Sequence, residues 1–108
     1  MQLVIHPDAQ TEIIEAADWY EQRATGLGDD LVAEVQAALE TIVARPSVWP
    51  IWPGAEQVVP PIQRYLLARF RYYGVAYQCF EDLVVVLALV HLRRRPFYWI
   101  KRADEGAG

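Results

Sequence analysis

The chain has little of three things that constrain a small protein: cysteine, lysine and uninterrupted apolar sequence. A single cysteine among 108 residues, Cys79, can form neither an internal disulfide nor a multi-thiolate metal site. It falls inside an apolar strand pattern, so core filling is its expected role, and neither a metal nor a cofactor is expected. Lys101 is the only lysine, which leaves arginine to supply almost all the positive charge. No apolar stretch reaches the roughly 18 residues that a membrane span requires, and the longest run, Leu83 to Val90, suits a buried strand. The opening Met1-Gln2-Leu3-Val4-Ile5-His6-Pro7 has no basic n-region and no long apolar h-region, so it reads as mature sequence, with the cytoplasm as expected location and no membrane partner. What is abundant is apolar surface: 54% of residues are hydrophobic and 22% charged, which excludes intrinsic disorder. The length allows one hydrophobic core. A single domain over residues 1–103 is expected, with 104–108 as a disordered tail.

The formal charge of −4 hides an asymmetry. Residues 1–44 hold nine acids against one base, Arg23, whereas residues 45–108 hold nine bases against five acids. If the halves form different faces, the second attracts phosphate or an acidic protein segment and the first repels nucleic acid. The alternative is that the halves neutralise each other within the fold.

Leu3, Val4 and Ile5 form a short strand that Pro7 interrupts. Pro7 suits the first position of a helix, with Asp8 and Glu12 near the positive end of its dipole. Ala9, Ile13, Ala16, Ala17 and Tyr20 then recur at spacings of three and four, while Glu12, Glu15 and Glu21 point elsewhere. This helix is expected to end near Ala24. Thr25-Gly26-Leu27-Gly28 supplies a turn, Asp29 or Asp30 a cap, and Leu31, Val35, Ala38, Leu39 and Ile42 the stripe of a second helix. Two such helices joined by a short link form an antiparallel hairpin. From Pro46 to Pro61, five of the seven prolines and the tryptophans Trp49 and Trp52 exclude a helix and predict an ordered loop covering an edge of the core. Ile62 to Phe70, Tyr73 to Phe80 and Leu83 to Val90 read as three strands in an antiparallel meander. The last has no polar residue, as expected of a central strand covered on both faces. The fold class is therefore α+β, with the helices on one face of a largely antiparallel sheet.

Three segments then carry a resemblance. Ala16-Ala17-Asp18-Trp19-Tyr20-Glu21 precedes Gly26-Leu27-Gly28-Asp29. Arg69-Phe70-Arg71-Tyr72-Tyr73-Gly74-Val75-Ala76-Tyr77 follows the loop, and His91-Leu92-Arg93-Arg94-Arg95-Pro96-Phe97-Tyr98-Trp99 closes the sheet. In this order and spacing the chain resembles the ParE/RelE superfamily of type II toxins and plasmid stabilisation proteins, closer to its ParE-like members, from Leu3 to about Arg102. It departs at Arg71, where the family usually has proline, and in the tryptophan-rich loop. The resemblance implies a toxin silenced by a cognate antitoxin, which reaches operator DNA only through that antitoxin. It also implies one of two targets. ParE-like members inhibit DNA gyrase without a nuclease site, whereas RelE-like members cut messenger RNA on the ribosome. A degenerate toxin that only binds its antitoxin, in autoregulation of its operon, is a third reading.

Metal-free RNA cleavage needs a base for the 2′-hydroxyl, an acid for the leaving oxygen and cations on the phosphate. His91, Arg71, Arg93 and Tyr98 are the candidates for it, since imidazole ordinarily titrates near neutrality and guanidinium grips phosphate bidentately. Each has a plainer reading as well: a hydrogen-bonded histidine at a strand end, arginines paired with the acidic helices, aromatics packed on the sheet. An acidic chain with one lysine is poorly matched to a ribosomal surface rich in phosphate, so the gyrase reading ranks first. Arg93, Arg94, Arg95, Tyr98 and Trp99 are the expected target contacts. Arg64, Arg69 and Arg71, expected on the sheet, are the expected contacts to an acidic antitoxin segment that folds on binding.

Overall fold

A computed structural model describes residues 1–106. The elements are β1 (Gln2–Ile5), α1 (Pro7–Glu21), α2 (Leu27–Ala44), β2 (Gln63–Leu66), β3 (Tyr73–Cys79), β4 (Leu83–His91) and a short α3 (Arg102–Gly106). They build one sheet in the order β1-β4-β3-β2, with β1 parallel to β4 and the other pairs antiparallel. This is the expected α+β arrangement of strand, helix hairpin and meander.

Local chemistry sets the helix ends. His6 caps α1 by accepting the Asp8 N–H at Nδ1, and Pro7 takes the first helical position, where no N–H is needed. The helix stops at Glu21 rather than Ala24, because the Glu21 carboxylate accepts the N–H groups of Gly26 and Gly28 and draws the chain into the turn. Asp29 and Asp30 are not the cap of α2. The capping residue is Gly26, at φ +88° in the left-handed region that glycine enters freely, and the two aspartates lie in the first turn beside the positive end of the dipole. Gly28 sits where α2 crosses α1 so closely that an added Cβ would lie 2.5 Å from the Ala17 carbonyl oxygen.

The sheet is buried on both sides. Val75, Tyr77, Val84, Val86 and Leu89 meet the helix stripes, with Trp49 and Tyr65 at the margin. Ala76, Val85, Leu87, Ala88 and Val90 meet Trp52, Phe97, Trp99 and Ala103, so the proline-rich loop and the C-terminal segment cover the face opposite the helix hairpin. Buried polar side chains bind the loop's carbonyls. Tyr77 and Gln63 donate to the Pro46 oxygen at 2.6 and 2.8 Å, and Gln78 donates to that of Pro60 at 2.8 Å.

Four expectations are revised here. The strand predicted over 62–70 ends at Leu66, because the Arg69 N–H donates to Glu34 and its guanidinium pairs with Asp30 at 3.1 Å. The segment leaves the ladder toward α2, where burial of Leu67 and Phe70 in the helix-side core is the larger gain. Cys79, expected as core filler, is partly exposed at the end of β3, where its thiol lies 3.4 Å from the Phe80 oxygen. Glu12 does not point away from the stripe: its side chain faces β4. Of the tail expected over 104–108, residues 104–106 belong to α3 and 107–108 lie outside the described residues.

A β-bulge in β4 decides which side chains reach the helices. Tyr77 pairs with Val86 and Ala76 with Ala88, leaving Leu87 without a partner in β3. Before the bulge, even-numbered residues of β4 face the hairpin; after it, Leu89 does, and Ala88 and Val90 join the opposite core. The extra residue reverses the alternation and brings His91 round to the α1 side.

Candidate functional site

A cleft of about 570 Å³ opens where α1 passes the end of β4. Helical spacing brings Glu12, Glu15, Ala16, Trp19 and Tyr20 to its α1 wall, and Tyr72, Tyr73, Leu89, His91, Arg93, Arg94 and Tyr98 supply the rest. The His91 ring lies parallel to Tyr72 at a centroid distance of 6.1 Å and edge-on to Tyr73 at 5.0 Å. Its Nδ1 accepts the Arg93 backbone N–H at 3.2 Å. The guanidinium groups of Arg93 and Arg94 each lie 4.2 Å from a ring centroid, over Tyr72 and Tyr98 respectively.

The Tyr98 hydroxyl is buried beside the Glu12 carboxylate and the His91 backbone. Burial, reinforced by the Glu12 carboxylate, pushes its phenol up to about 12, against a smaller opposing pull from Arg94. Burial also raises Tyr73. Both stay protonated at neutral pH. Arg102 reaches Glu12 from α3, with its two terminal nitrogens on the Glu12 oxygens at 2.9 and 3.2 Å. Burial alone would lower this guanidinium, but Glu12 and Asp8 together raise it further.

The structure therefore brings His91, Arg93, Arg94 and Tyr98 to one cleft and places the other expected site residues outside it. Arg71 lines a neighbouring depression of about 400 Å³ with Arg69 and Phe70, partitioned from the cleft by Tyr20 and Tyr72, so the four-residue catalytic set is not assembled. Arg95 lines a smaller hollow of about 210 Å³ together with Arg64, His91, Arg94 and Trp99. Trp99 is 1% exposed and packs edge-on to Trp52 at 5.1 Å, at the floor of the same hollow. The three arginines expected on one sheet surface do not share one. Arg64, on β2 opposite Ala76, shares the face that the loop covers, while Arg69 and Arg71 lie in the β2–β3 turn on the hairpin side. The charge asymmetry is partly neutralised within the fold, through Arg69–Asp30, Arg102–Glu12 and Arg102–Asp8. Among the described residues, Arg93, Arg94 and Arg95 form no ion pair, and the first two line the cleft opposite Glu12 and Glu15.

Sequence reasoning missed the α1 wall. Glu12, Ala16 and Tyr20 recur every four residues, and that period marks Glu12 as a member of the inward stripe despite its charge. Among the described residues, no three His, Cys, Asp or Glu side chains converge as a metal site would require, and no helix is long and apolar enough to cross a membrane.

A helix hairpin on one face of a four-stranded, mostly antiparallel sheet is the RelE/ParE-like fold class. Residues 3–96 match the family described as the ParE toxin of the type II toxin-antitoxin system, parDE, and the chain belongs to that family. It is a toxin component, and the family implies a cognate antitoxin as its partner. A comparison with curated proteins returned no match.

Proposed function

We propose that the protein acts in the cytoplasm by binding and inhibiting DNA gyrase, without nuclease chemistry. The observation that carries this reading is the composition of the cleft. Two carboxylates, Glu12 and Glu15, line the space that a scissile phosphate would occupy, and the nearby guanidinium groups lie over tyrosine rings. Glu15 would repel the phosphate, and moving either arginine onto it would cost a cation–π contact. Tyr98, with its phenol raised and its hydroxyl buried, is a weak acid for a leaving oxygen. The same cleft suits a protein target better, since tyrosine, tryptophan and arginine are the side chains that dominate protein interfaces.

The ribonuclease reading keeps one observation in its favour, the convergence of His91, Arg93 and Tyr98. A paired assay separates the two. Purified protein is expected to inhibit gyrase supercoiling and to leave ribosome-bound message intact. His91→Ala should retain the inhibition, while joint replacement of Arg93 and Arg94 by alanine should weaken it by about tenfold or more. Message cleavage that disappears in His91→Ala would reverse the assignment, and a protein inactive in both assays that still binds its antitoxin would be a degenerate toxin.

A further inference from the structure

Beyond Val86, β4 runs on with no β1 residue beside it, since the parallel register ends at Ile5 opposite Val86. Two side chains occupy the open edge. The Leu89 N–H donates to Glu12 Oε1 at 3.2 Å, and Arg102 Nη1 donates to the Leu87 carbonyl at 3.1 Å while also reaching Glu12 at 2.9 Å. The pair thus supplies the donor and acceptor that a further strand residue would have offered. Both side chains are largely buried, at 14% and 13% exposure, which sets this contact apart from an exposed surface ion pair. Arg102 lies ninety residues from Glu12 and beyond the segment that matches the family.

The contact continues into the cleft. The Arg102 guanidinium lies 5.6 Å from the Tyr98 ring centroid, and Arg94 covers the same ring at 4.2 Å. We infer that Glu12 and Arg102 are positioning residues: the pair clamps the C-terminal segment to α1 and the edge of β4, and so fixes Tyr98 and Arg94 at the mouth of the cleft. This rests on the reading of the Arg93 to Tyr98 segment as the toxin's target contact. Glu12 holds Arg102, Arg102 backs Tyr98, and Tyr98 seats Arg94.

The test uses the full chain in two measurements. Amide hydrogen exchange is followed at Leu89 and across residues 97–103 in the wild type, Arg102→Met and Arg102→Lys. The induction level needed for growth arrest, which does not depend on the identity of the target, is measured in parallel. Arg102→Met keeps the packed stem and loses the fork. It is expected to speed exchange in the C-terminal segment and to raise the arresting dose by about tenfold, with Arg102→Lys recovering part of both because it restores one charge-assisted bond. Glu12→Gln should follow Arg102→Met. Unchanged exchange at 97–103 would overturn the clamp, and faster exchange with an unchanged arresting dose would overturn its positioning role. Growth arrest that survives alanine at Arg93, Arg94 and Tyr98 together would remove the target-contact reading instead, and exchange would still report on the clamp.

Discussion

Burial favours the neutral form of a tyrosine, and the consequence for stability has a definite sign. A phenol whose folded pKa exceeds its unfolded value near 10 stabilises the fold fully below that value and loses the contribution as pH rises through the folded pKa. Tyr98 is raised to about 12, and Tyr73 and Tyr77 are raised with it, all chiefly by burial. Denaturant melts are therefore expected to change little through these groups up to about pH 10 and to weaken steadily between about 10 and 12. Tyr98→Phe removes one of the three groups, so its loss of stability across that window should be smaller than the wild type's. An identical decline in the two proteins would place the Tyr98 phenol in an environment as wet as the unfolded chain's. The same protonation fits the cleft's proposed use, in which Tyr98 serves as a surface for Arg94 and not as a proton donor.

The helix hairpin was the most legible part of the sequence, and the end of β4 the least. Of the apolar positions read as stripes, Ala9, Ile13, Ala16, Leu31, Val35, Ala38, Leu39 and Ile42 are all buried, because helical periodicity survives wherever polar and apolar residues alternate around the axis. In Leu83 to Val90 every residue is apolar, so no alternation marks the bulge at Leu87, and the side of the sheet that His91 faces could not be read. Glu12 escaped notice for a related reason: its partner Arg102 is distant in sequence, and a carboxylate on a stripe reads as solvent-facing until that partner is known. Even in the hairpin, the closeness of the helices depends on a contact that periodicity does not show. Alanine at Gly28 would ordinarily favour a helix by about 1 kcal/mol. Here its Cβ would meet the Ala17 carbonyl at 2.5 Å, backbone against backbone with no flexible side chain to yield. The clash should win, and Gly28→Ala is expected to destabilise by about 1–3 kcal/mol in chemical denaturation. A stabilised variant would mean that the hairpin can open at no cost.

For the molecule as a whole, the sheet's second face raises a question of sufficiency. Part of its cover comes from beyond residue 96, where the family match ends: Phe97, Tyr98, Trp99, Ile100 and Ala103 pack against the core around Val85, Leu87 and Val90. Phe97 sits over Gly54, where an added Cβ would be 2.6 Å from the ring, and Trp99 meets Trp52, so the C-terminal segment is interlocked with the proline-rich loop. Removing a buried tryptophan side chain costs about 3–5 kcal/mol, a large share of the roughly 5–15 kcal/mol that holds a domain folded. Trp99→Ala should therefore lower the melting temperature by more than about 10 °C while leaving a folded fraction. Truncation after Pro96 goes further, because it uncovers the apolar face of β4 and also removes Arg102 from Glu12 and from the Leu87 carbonyl. That chain is expected to be insoluble or to bind a hydrophobic dye when expressed alone. Because the truncation also removes Tyr98, one of the proposed target contacts, solubility and melting carry this test and growth arrest does not. A soluble, cooperatively melting 1–96 fragment would show instead that the helix-side core suffices by itself and that the second face is an accessory of this chain.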